Sequence, residues 1–76
     1  MPMPALHDDD VIKVLTAGGG MRIGTNFKSV DSLARIATAT QEKSVKLILV
    51  VNSTLSVGDL VRIASAGNGN VFFEWS

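Results

Sequence analysis

The sequence predicts an α/β protein: three helix–strand repeats giving a three-stranded parallel sheet in the order 1-2-3, with the helices on one face. Three observations carry this. A short apolar helix, a small-residue or polar turn and a short strand are written three times, from Asp10 (DVIKVLTAGGGMRI), Ser32 (SLARIATATQEKSVKLILVV) and Asp59 (DLVRIASAGNGNVFFEW). Self-similarity of this kind marks a repeat architecture. Strands separated by helices pair in parallel through crossovers. The run Val45 to Val51 is apolar almost throughout, as expected of a strand buried on both sides, so it belongs in the middle of the sheet.

Size and composition bound the rest. The 76 residues make one domain, with 1–7 expected as a flexible arm and 8–76 as the folded unit. So small a domain buries only about 60% of its unfolded surface and usually needs disulfides, a metal or oligomerisation. Cysteine is absent and His7 is the one histidine, which excludes a disulfide and a histidine cage within one chain. Oligomerisation or tight packing remains. Seven basic residues balance seven acidic ones, so no global attraction to nucleic acid or anionic membrane is expected. A near-neutral chain with 18% charged residues tends to associate. Met1-Pro2-Met3-Pro4 lacks the basic and apolar segments of a signal peptide, and Leu47–Val51 is too short to span a bilayer. A cytoplasmic protein is expected.

The first helix opens on Asp8-Asp9-Asp10, where free amides favour negative charge, and runs to about Ala17. Val11, Val14, Leu15 and Gly18 make its inner stripe, and Gly18-Gly19-Gly20 stops it. Met21 to Thr25 is the first strand. Ser29 caps the second helix, whose inner stripe is Val30, Leu33, Ile36, Ala37 and Thr40. Gln41 to Ser44 turns the chain into the strand Val45–Val51. Ser56 caps the third helix, with Asp59 completing a short capping box. Val57, Leu60, Val61 and Ala64 are its expected inner face. Gly67-Asn68-Gly69-Asn70 ends it, and Val71 to Trp75 is the last strand.

Strand alternation then assigns two faces. Met21, Ile23, Val45, Leu47, Leu49, Val51, Val71, Phe73 and Trp75 are expected toward the helices. Arg22, Gly24, Lys46, Ile48, Val50, Phe72 and Glu74 are expected on the other side. There Ile48, Val50 and Phe72 form an apolar cluster flanked by Arg22, Lys46 and Glu74, the form of an interaction surface. The alternative is a covered core, if the third helix crosses to that face. The last strand, with Val71, Phe73 and Trp75, is also an open edge able to recruit another strand. Two copies pairing these edges would give a six-stranded, two-fold homodimer.

Met21-x-Ile23-x-x-Asn26 matches Leu47-x-Leu49-x-x-Asn52, with the two asparagines 26 residues apart, and Val71-x-Phe73-x-x-Ser76 is the third copy. This resembles the LxLxxN strand segment of leucine-rich repeats. Ser44 stands where that family has a leucine, and Ser76 where it has the asparagine. The resemblance implies that the apolar pair points into the core and that the asparagine side chain bonds backbone of neighbouring turns. The plainer alternative makes Asn26 and Asn52 turn residues of an ordinary α/β sheet.

No residue set makes a case for catalysis, a cofactor or a metal. The glycine runs follow helices and open strands, the reverse of a phosphate-binding loop. His7 with Asp8–Asp10 gives no closed metal site, because successive side chains point apart. Lys13, Arg35 and Arg62 share one repeat position and could form an anion-binding or nucleic-acid stripe. Acidic neighbours on the same helices (Asp9 and Asp10, Asp31, Asp59) instead suggest ordinary surface pairs. A ligand site at the strand ends would draw on Thr25, Asn26, Lys28, Asn52, Ser53 and Thr54. The expectation that weighs most is a small non-enzymatic module that binds protein, itself first, through the open face and the last strand. Nucleic acid and membrane are not expected partners.

Overall fold

The computed structural model describes residues 7–26 and 28–75. The expected arm falls almost wholly outside these, as does Ser76. The order is α1 (Asp8–Thr16), β1 (Met21–Gly24), α2 (Val30–Ala39), β2 (Leu47–Val51), α3 (Val57–Gly67) and β3 (Val71–Trp75). The strands form one sheet, β1-β2-β3, parallel throughout. Met21, Leu47 and Val71 stand in one row, and Ile23, Leu49 and Phe73 in another. Each strand is preceded by a helix, so the three helices run side by side in one direction. The extents are 32 × 30 × 18 Å. A thickness of 18 Å accommodates one helix layer on one sheet, since packed layers lie roughly 10 Å apart.

The core lies between these layers. Leu47 and Leu49 of the central strand meet Val11 and Leu15 of α1, Leu33, Ile36 and Ala37 of α2, and Ile63 of α3. All are essentially without solvent exposure. Their burial is the main stabilising term, about 1.5–3 kcal/mol for each large side chain.

The helix ends follow their local signals. Ser29 Oγ accepts from the Ser32 amide at 3.1 Å. Ser56 Oγ accepts from the Asp59 amide at 3.1 Å, and Asp59 Oδ2 accepts from the Ser56 amide at 3.1 Å, closing the capping box. At the end of α1, Gly18 takes φ +102°; its amide bonds Leu15 O and that of Gly19 bonds Val14 O. This is the paired bonding of a glycine-terminated helix. Gly67 serves packing instead: a Cβ there would collide with the Val71 side chain.

Several expectations shift. The second strand starts at Leu47, not Val45, because Ser44 at φ +53° carries the turn and the Val45 amide bonds Thr40 O. β1 ends at Gly24, although the Thr25 amide still reaches Val50 O. Val14 is 41% exposed, on the flank of α1 that has no neighbouring helix among the described residues. Val57 and Val61, expected on the inner face of α3, are 76% and 58% exposed; Ile63 and Gly67 are buried in their place. The stripe is displaced because α3 packs on α2 with one flank and leaves the other without a partner among the described residues.

Candidate interaction surface

Successive residues of a strand point to opposite sides, so burial of Leu47, Leu49 and Val51 turns Ile48 and Val50 away from the helices. The register sets Arg22, Ile48 and Phe72 in one row and Gly24, Val50 and Glu74 in the next. No helix covers this side among the described residues. Ile48 and Val50 are half-buried, and Phe72 is 49% exposed.

The charged side chains lie over the apolar ones, where the sequence placed them at the flanks. Arg22 on β1 donates to Glu74 on β3. These strands are separated by β2, roughly 10 Å at two strand spacings. The ion pair therefore crosses the central strand, and its aliphatic stems shield Ile48 and Val50. The hydrogen bond to Glu74 holds the proton on Arg22 more firmly than usual. Lys46 places Nζ 4.9 Å from the centre of the Phe72 ring, a cation–π distance. The face is thus an apolar strip under a brace of charge.

β3 pairs with β2 along one edge, and its other edge has no partner among the described residues. Val71 and Phe73 are half-buried against the core. Trp75, expected toward the helices, is 67% exposed. It stands at the end of the strand; α3 has an uncovered flank of its own among the described residues. Val57 and Val61 on that flank were not among the sequence-derived candidates. Aligning the copies on Lys13, Arg35 and Arg62 supplies a signal for them: Gly58 falls where the first two helices carry Asp9 and Asp31.

The basic row is paired between helices, not within them as the spacing suggested. Arg35 of α2 donates to Asp9 of α1 at 2.9 Å, and Arg62 of α3 meets Asp31 of α2 at 2.5 Å. Asp59 is occupied by the capping box, which leaves Arg62 to reach back. Each helix thus offers an acid to the cation of the next. Lys13 has no preceding helix and forms no ion pair among the described residues.

The polar residues at the strand ends are tied to one another. Asn52 Oδ1 accepts from the amides of Thr25 and Asn26, at 3.2 and 2.9 Å, and from Thr25 Oγ1 at 3.3 Å. The Thr25 hydroxyl, fully buried, also lies 2.7 Å from Ser53 Oγ. Gly24 leaves room for this: a Cβ there would strike the Asn26 and Asn52 side chains. Lys28 donates to Asp8 at 2.7 Å, in a half-buried pair joining α1 to the segment before α2. Lys28, and after it the Ser32 hydroxyl, hold the Asp8 carboxyl below its ordinary value of 3.8. Thr54 is exposed. His7 is exposed at the start of α1 and makes no side-chain capping bond. No cluster of His, Cys, Asp or Glu suited to a metal occurs among the described residues.

Comparison of the chain with protein-family models, with curated proteins and with solved structures gives no match. No helix among the described residues is long and apolar enough to cross a membrane.

Proposed function

We propose that this chain is a small non-enzymatic, cytoplasmic module that binds protein, a second copy of itself first, through β3 and the uncovered sheet face. The observation that carries the reading is β3 itself. Among the described residues it has one unpaired edge, and it exposes an aromatic ring on each side of the sheet, Phe72 on one and Trp75 on the other. Unpaired strand edges recruit strands, and exposed aromatics anchor interfaces. Antiparallel pairing of two β3 edges makes a continuous six-stranded sheet about a two-fold axis. The ion pairs of Arg35 and Arg62 and the mutual bonding of Thr25 and Asn52 leave those residues committed to the fold.

Light scattering at high protein concentration tests this. The wild-type chain is expected at twice its 8.0 kDa mass. Phe72→Glu is expected to return it to the single mass with its circular dichroism intact; Ile48→Glu probes the sheet face in the same way. A wild-type monomer rules out self-association. Two folded variants of unchanged mass rule out this face.

A further inference from the structure

We infer that the outward flank of α3 is the helical half of the same self-association: two copies pack α3 on α3 while their β3 strands pair, as a closed two-fold dimer and not a head-to-tail filament. This rests on the self-association proposed above and fixes its geometry.

The repeat itself shows what each flank is built to meet. Within the chain, every helix boundary joins an acid of one helix to a cation of the next: Asp9 to Arg35, then Asp31 to Arg62. A third such step would need an acid at Gly58, and there is none. The third helix presents Val57 and Val61 instead, 76% and 58% exposed. Its charges are used elsewhere: Arg62 turns back to α2, and Asp59 closes its own cap. The outward flank of α3 is therefore apolar where the inner boundaries are ionic.

Charge decides between the two ways of stacking copies. Head-to-tail stacking sets α1 against α3 and brings Lys13, the cation of the first repeat, onto a flank with no acid for it. A cation taken from water without a partner is costly. Two-fold stacking sets valine against valine and leaves Lys13 in solvent. It also follows from the strands. Inside the chain α2 and α3 lie side by side over the paired strands β2 and β3. A β3–β3 step of the same size carries α3 against its counterpart. The two helices then run antiparallel, and Val61, near the middle of Val57–Gly67, sits close to the axis.

The native chain has no cysteine, so single-cysteine variants report directly. Val61→Cys, Val14→Cys and the exposed control Thr38→Cys are each treated with a short bis-maleimide, alone and in pairs. Val61→Cys is expected to cross-link to itself at concentrations where light scattering gives twice 8.0 kDa, and Thr38→Cys is not. Cross-linking confined to the mixture of Val61→Cys with Val14→Cys means head-to-tail stacking and overturns the inference. A dimer mass without self-cross-linking of Val61→Cys also overturns it, while self-association stands. A monomer mass defeats both.

Discussion

Asn52 joins the first two repeats with a single carbonyl oxygen. Three donors converge on that atom: the Thr25 amide, which it shares with Val50 O, the buried Thr25 hydroxyl and the exposed Asn26 amide. A buried or half-buried donor that loses its acceptor costs about 1–3 kcal/mol. The Thr25 amide keeps Val50 O, its hydroxyl keeps Ser53 Oγ and the Asn26 amide meets water, so Asn52→Ala is expected to lower stability by about 1 kcal/mol, with Asn52→Asp, which keeps the acceptor, milder. Urea unfolding of the three proteins at pH 7 decides it; equal midpoints would remove Asn52 from the account. Part of this was legible in the chain. The matched positions of Asn26 and Asn52 single out the pair, but the target of the bond lies 27 residues away at Thr25, beyond the reach of local spacing. The two asparagines also act unequally: Asn52 gathers the turn, while Asn26 presents an amide to it.

Single elements show the same divide between local and distant cause. Caps and stops at Ser29, Ser56 and Gly18 are decided within one turn of chain, and the sequence reveals them. The six residues of the uncovered face follow from strand alternation. Which flank of α3 meets a neighbour depends on where α2 lies, so Val57 and Val61 read as core. The brace from Arg22 to Glu74 crosses a strand that neither residue belongs to. Helix α1 is held in part by Asp8 and Lys28, and this pair gives it a pH dependence. The Asp8 carboxyl has a lower pKa folded than unfolded, so its stabilisation is complete above about pH 4. It is lost as pH falls through the lowered folded value. Lys28→Met is expected to lose about 1 kcal/mol at pH 7 and to differ less from wild type at pH 3. Denaturant midpoints at the two pH values test this, and a gap that widens in acid would contradict it.

The molecule is a two-layer slab, with one sheet face and two sheet edges unoccupied among the described residues and no cysteine to form a disulfide. A 76-residue core of this kind is marginal alone, and burial in the proposed dimer would add to its stability. Its Tm is expected to rise with protein concentration, and Val61→Glu to flatten that rise. Calorimetry over a hundredfold concentration range measures both, and a Tm independent of concentration in the wild type would tell against the dimer. The common direction of the three helices bears on the same question. Each helix has a positive N-terminal and a negative C-terminal pole, worth roughly half a charge apiece. Three set side by side in one sense repel, pole against like pole. The aspartates at 8, 9, 10, 31 and 59 offset this at the end where the positive poles gather. A copy added head to tail would bring three more helices in the same sense and enlarge the imbalance. A copy added about a two-fold axis lays opposite poles together, so the proposed dimer would neutralise a field that the single chain counters with carboxylates.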